Sequence, residues 1–148
     1  ACHFIDLAMH IAGSPIASVS AVAVPDTNGQ NDTVGINLAF ENGSVANISY
    51  FSNGNKDVSK EYLEVFFGGR IAIIDDFNAL TVYGKSTTEK KTKGQDKGHK
   101  NEVAAFLESI RTGTPCPIPF AEQYLSMLAT FKVLTSIANK GERIFITG

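Results

Sequence analysis

Cysteine is nearly absent from this sequence: Cys2 and Cys116 are the only two in 148 residues. They stand at opposite ends of the chain, which reads as two free thiols in a reducing compartment, with a single bridge between them as the lesser alternative. A cytoplasmic setting is the corresponding expectation. A strong charge of either sign is missing as well, with 13 Lys and Arg against 15 Asp and Glu and a net charge of −2. Without a basic excess, nucleic acid and anionic membrane surfaces are poor default partners. No apolar run approaches the roughly 20 residues that a membrane-spanning helix needs. The first residues carry neither the charged n-region nor the apolar h-region of a secretory signal. Three sequons occur, at Asn31, Asn42 and Asn47. Such triplets are common by chance, and Asn47 falls inside a predicted strand, so they carry no weight. What is present is a globular composition, 43% hydrophobic and 19% charged, on a chain long enough for a real core.

Near the N-terminus Phe4, Leu7, Ala8 and Ile11 follow the i, i+3, i+4, i+7 spacing of an amphipathic helix and are its predicted buried stripe. Gly13 ends that helix, with Pro15 beyond. The span 16–24, rich in Val, Ala and Ser, reads as a strand stopped by Pro25, and "DTNGQND" reads as a polar turn. Val34, Ile36, Leu38 and Phe40 then alternate with Gly35, Asn37 and Ala39, the pattern of a strand with one buried face. "ENGS" supplies an Asn-Gly turn and "VANISYF" runs back, which predicts a β-hairpin. After the turn "NGNK", the segments "EYLEVFF", "GG" and "RIAIIDD" predict a second hairpin, and "ALTVYG" a further strand. "KSTTEKKTKGQDKGHK" is polar, basic and without apolar periodicity, so it reads as a solvated loop with room for a short edge strand. Two helices follow. Val103, Phe106, Leu107 and Ile110 form the stripe of the first, closed by Gly113. "TPCPIP" is a stiff connector. The second begins near Phe120, has Tyr124, Met127, Leu128, Phe131 and Leu134 on one stripe, and ends at Gly141, with "RIFIT" as a last strand.

Helix, a run of antiparallel strands, helices and a short strand make an α+β order and not a βαβα one. The expectation is an open, mainly antiparallel sheet with helices packed on one face, and residues 1–148 as a single domain. Ala46, Ile48 and Tyr50 share one side of their strand, while Val45 and Phe51 lie on the other. Both faces therefore carry apolar groups, and a second copy of the chain is the expected cover for the outer one.

Chemistry concentrates in "ACHFIDLAMHIAGSP". At roughly 100° per residue, His3, Asp6 and His10 cluster along one edge of the predicted buried stripe. Three readings stand. The histidines are structural; or His3, Asp6 and His10, at i, i+3 and i+7, hold a metal; or His3 performs general acid–base work supported from outside this chain. Cys2 beside His3 points about 100° away and does not face it. Cys116, between two prolines, reads as structural. Further on, "KGHKNE" lies just ahead of a helix start, where backbone N–H groups attract anions and hydroxyls. Asn101 is the predicted N-cap. His99 or Lys97 either lines a substrate pocket or serves loop packing.

"CHFIDL" followed by "AGSP" resembles the start of the C-terminal domain of the glucose–fructose oxidoreductase, inositol dehydrogenase and MocA-like (Gfo/Idh/MocA) family. "FENGSVANISYF", "EVFFGGRIAIIDD" and "DKGHKNEVAAFLESIRTGTPCPIPFAE" are similar to further segments of that domain in the same order, so the resemblance covers nearly the whole chain. It implies an NAD(P)-dependent oxidoreductase acting on a secondary alcohol of a sugar, amino-sugar or cyclitol. It also implies that an N-terminal Rossmann domain precedes this segment and holds NAD or NADP together with the family's Glu-Lys-Pro lysine. No Gly-x-Gly-x-x-Gly occurs here, so the chain offers no cofactor site of its own, and by itself it is expected to be inactive. By resemblance His3 matches the family's proton-transferring histidine and Asp6 its supporting downstream acid, while the upstream acidic residue would precede Ala1. His10 has no counterpart and reads as structural. The domain would shape the substrate pocket and make subunit contacts. A non-catalytic sugar-binding or assembly module is the alternative, as is the metal-dependent enzyme above.

Overall fold

The computed structural model describes residues 1–25, 30 and 32–146. Most of the expected turn "DTNGQND" and the sequon at Asn31 lie outside the described residues. The described elements are α1 (Cys2–Ala12), β1 (Ile16–Ala23), β2 (Thr33–Phe40), β3 (Val45–Phe51), β4 (Tyr62–Phe67), β5 (Arg70–Asp75), β6 (Ala79–Tyr83), β7 (Thr88–Lys91), α2 (His99–Thr112), α3 (Phe120–Ala138) and β8 (Ile144–Phe145). Every strand pairing is antiparallel. The α+β order holds, with the strands divided between two four-stranded sheets, β3-β2-β1-β8 and β4-β5-β6-β7. The chain forms two compact units, Ala1–Asn53 with Pro115–Gly148, and Gly54–Thr114.

In the first unit the alternation on β2 is the foundation of the core. Val34, Ile36, Leu38 and Phe40 are all buried, and β1 adds Val19 and Ala21 to the same face. The hairpin expected at 34–51 forms with Ile36 opposite Ile48 and Leu38 opposite Ala46. α1 contributes Ile5 and Met9 to this core, and α3 contributes Ala129 and Val133.

Both helices turn a different face inward from the one their spacing suggested. On α1 the buried residues are Ile5 and Met9, with Ala1, Ala8 and Ala12 packed against the core, while Ile11 is exposed. On α3, Tyr124, Met127, Phe131 and Leu134 are exposed, and Leu125, Ala129, Val133, Ser136 and Ile137 face the core. On α3 the helical spacing is satisfied twice, once by the bulky Tyr124, Met127, Phe131 and Leu134 and once by a set that includes Ala129 and Ser136; the small side chains let the helix backbone approach its neighbours closely, and that set is buried. On α1, Ala8 of the expected stripe packs against the core together with Ala1 and Ala12, on either side of Ile5 and Met9.

A polar latch closes α3 onto β1. The fully buried Ser136 accepts a hydrogen bond from the Ala21 amide (2.9 Å) and donates one to the Glu142 carbonyl (2.6 Å). The chain leaves the helix through Gly141, whose φ of +90° suits glycine and whose missing side chain would stand 2.9 Å from Val22 Cγ2. α3 ends at Ala138, with Asn139 as its cap and the left-handed backbone beginning at Lys140 (φ +58°), one residue ahead of the glycine.

The outer face of this sheet is mixed. Val22, Val45 and Phe51 are exposed on it. Beside them Asn47 donates to Asn37, and Arg143 Nε donates to Ser18 Oγ at 2.7 Å with its guanidinium 5.0 Å from the Phe145 ring.

The second unit is a four-strand meander followed by α2. Its sheet residues are half-buried or exposed, and the edge strand β7 is exposed throughout, with Lys90 and Lys91 on it. Lysines on an edge strand discourage pairing with another chain. The expected stripe of α2 forms, but Val103, Phe106, Leu107 and Ile110 are all exposed, and Ser109 is the helix's buried residue.

Candidate functional site

The buried face of α1 decides where its polar residues go. Ile5 and Met9 lie about 200–240° around the helix from His3, at roughly 100° per residue. His3 and His10 are accordingly exposed, opposite the core, and Asp6 is half-buried. This corrects the expectation of an edge position beside a buried stripe of Phe4, Leu7, Ala8 and Ile11, of which Ala8 alone packs against the core. Phe4, Leu7 and Ile11 instead flank His3 as a partly exposed apolar strip. The His3 ring lies 4.1 Å from that of Phe4, which in turn is 6.5 Å from Tyr50. His3 is thus carried on a helix whose opposite side is locked into the core, and it stands beside apolar surface. Cys2 and Cys116 are both exposed free thiols.

Among the described residues, no three His, Cys, Asp or Glu side chains come together in a way that could hold a metal ion. His3, Asp6 and His10 therefore do not form the ligand set that their spacing allowed.

His99 and Lys97 belong to the second unit. His99 is the first residue of α2 and is exposed. The cap is Gly98, with φ +79°, and not Asn101, which falls inside the first turn. The Asp96 carboxylate accepts from the Gly98 amide (2.9 Å), and the Gly98 carbonyl accepts from the Glu102 amide (2.9 Å). A left-handed glycine makes the turn that a side-chain cap would otherwise make, so no residue at position 101 is needed for it. Lys97 Nζ donates to Glu61 Oε1 at 2.6 Å, in an ion pair whose side chains are 33% and 13% exposed. Glu61 is the residue that reading the sequence missed. It is 36 positions from Lys97, and no local pattern connects the two.

Several solved structures share this fold. Levoglucosan dehydrogenase, in a complex with NADH and levoglucosan, superposes with a TM-score of 0.84 at 17% identity, over 100% of this chain and 49% of that one. UDP-N-acetylglucosamine 3-dehydrogenase GnnA from Acidithiobacillus ferrooxidans gives 0.79 at 20% identity, over 93% of this chain and 46% of that one. Aldose–aldose oxidoreductase from Caulobacter crescentus, complexed with glycerol, gives 0.76 at 17%, over 98% and 45%. The chain thus spans about half the length of these structures. Comparison with curated proteins gives no match. The profile of the oxidoreductase family, C-terminal alpha/beta domain (Gfo/Idh/MocA), matches residues 1–144, and the chain belongs to that family. Among the described residues, no helix is long and apolar enough to cross a membrane.

Proposed function

We propose that this chain is the substrate-shaping domain of an NAD(P)-dependent dehydrogenase that oxidises a secondary alcohol of a sugar, amino-sugar or cyclitol, or reduces the matching ketone. The observation that carries the reading is the placement of His3: exposed, beside an apolar strip, on a helix anchored through Ile5 and Met9. The nicotinamide, held mainly by an N-terminal Rossmann domain, would supply the hydride acceptor at the carbinol carbon. His3 takes the hydroxyl proton, so the O–H pair becomes the carbonyl bond as hydride departs. In the reverse direction the same imidazole returns the proton. Asp6, on the next turn of α1, supports the helix start or orients a neighbour. His99, at the start of α2, offers a polar contact to substrate hydroxyls. The two exposed thiols suit a reducing, cytoplasmic setting.

His3→Ala in the full-length enzyme tests this. Turnover falls about 10²- to 10⁴-fold, and the rise of oxidation rate as an imidazole loses its proton disappears from the pH profile. Unchanged turnover sinks the catalytic role. It would favour a second reading, assembly through the outer sheet face, for which exposed Val22, Val45 and Phe51 speak. In our reading that face also joins copies of the enzyme. The chain by itself binds neither NAD(H) nor NADP(H); stoichiometric binding by calorimetry would contradict this.

A further inference from the structure

We propose that Glu61 is a positioning residue for the approach to α2, and that Lys97 serves the substrate site through Glu61 instead of touching substrate. The proposal rests on the reading of His99 as a substrate contact. Glu61 stands one residue ahead of β4 with its side chain 13% exposed. A carboxylate so far removed from water needs charged or hydrogen-bonding partners. Both come from one later stretch: Lys97 Nζ at 2.6 Å and Gln95 Nε2 at 3.3 Å. Gln95 also donates to Asp76 Oδ1 (2.9 Å), and the Asp76 amide donates to the Glu61 carbonyl (2.7 Å). Backbone bonds complete the attachment, from the Asp96 amide to the Phe77 carbonyl (3.1 Å) and from the Thr92 amide to the Asn78 carbonyl (2.9 Å).

The segment thus clasped, 92–97, is fastened to a turn that is itself unusual. Asp76 and Phe77 have φ of +47° and +53°, a region that side chains other than glycine avoid. Such a turn persists only where its surroundings over-determine it. Here Gln95, Asp96 and Thr92 hold it from one side and Glu61 from the other. The clasp ends at Lys97, the next residue is the left-handed Gly98, and the one after that is His99. Fixing Lys97 therefore fixes the entry to the helix and the backbone that carries His99. It also commits the Lys97 charge to Glu61.

A double-mutant cycle in the full-length enzyme tests this. Glu61→Gln and Lys97→Met each raise KM for the sugar several-fold, with kcat changed by less than about twofold, and the double variant is no worse than either single one. Lys97→Arg, which can still reach a carboxylate, keeps the original KM. Hydrogen exchange at the Thr92 and Asp96 amides quickens in Glu61→Gln, a readout independent of activity. A Lys97→Met effect far larger than that of Glu61→Gln, with effects that add, would mean that Lys97 touches substrate and would overturn the proposal. Unchanged KM and unchanged exchange in Glu61→Gln would overturn it equally. His99→Ala with unchanged KM would remove the substrate reading of His99 and with it the site role of Glu61, while quickened exchange in Glu61→Gln would still report the clasp itself.

Discussion

The two units hold themselves together by different means. The first has a layered core in which β1 and β2 lie under α1 and α3, and every buried apolar residue of the described chain belongs to it. The second has a complete antiparallel meander, yet none of its apolar residues is fully buried, and its most enclosed charged pair is Lys97 with Glu61. Hydrophobic burial scales with the area removed from water. The first unit therefore rests on packing, whereas the second relies on strand pairing and a polar clasp. The difference teaches where precision comes from in each. Packing fixes α1, and so His3, as part of a rigid body. Hydrogen bonds from distant parts of the chain fix the start of α2.

The largest effect that could break this comparison is a pair of truncations. Ile36→Ala in the core of the first unit costs about 2–5 kcal/mol. Ile73→Ala, half-buried in β5, costs less than about 2 kcal/mol because part of its surface is already in water. Denaturant unfolding of both variants measures this. Equal losses would show that the second unit has a core of the same kind. Hydrogen exchange adds the regional view, with amides of β5 and β6 opening at lower free energy than those of β1 and β2.

Next in size is the Ser136 latch. Ser136→Ala leaves the Ala21 amide and the Glu142 carbonyl without their buried partner and costs about 1–3 kcal/mol. Gly141→Ala costs about 1–2 kcal/mol from its left-handed backbone alone, and the contact with Val22 at 2.9 Å adds to that. Thermal unfolding checks both. A neutral Ser136→Ala would mean that the latch contributes nothing beyond water's ordinary offer.

Much of this arrangement was legible in the sequence because it is local. The alternation of Val34, Ile36, Leu38 and Phe40 and the Asn-Gly turn after it define a hairpin without help from the rest of the chain, and Gly13 and Gly113 end their helices in the left-handed conformation, as expected. What was not legible is what depends on tertiary choice. α1 and α3 each carry two faces that satisfy a 3.6-residue period, and periodicity cannot say which one packs. The placement of His3 away from the core follows from that choice, so its position as a candidate base came from family resemblance and its surroundings from the fold. Asn101 lost the capping role because a glycine three positions earlier made the turn first. Glu61 was invisible because its partners lie 34 to 36 positions later.

The smallest effect sharpens the comparison from the solvent side. On α2, Arg111 donates to both carboxylate oxygens of Glu108, at 2.8 and 2.6 Å, one turn apart. The guanidinium holds the Glu108 carboxyl below its ordinary range. A carboxylate depressed in the folded state adds stability above its unfolded pKa, and that contribution is lost as pH falls through the folded value. Glu108→Gln therefore lowers the melting temperature slightly at neutral pH and not at all in acid, where the wild-type carboxyl is protonated too. Because the pair is solvated, molar salt shrinks the neutral-pH difference toward zero. A large, salt-resistant loss would show that the Glu108–Arg111 pair is not solvated, and would break the contrast with the packed first unit.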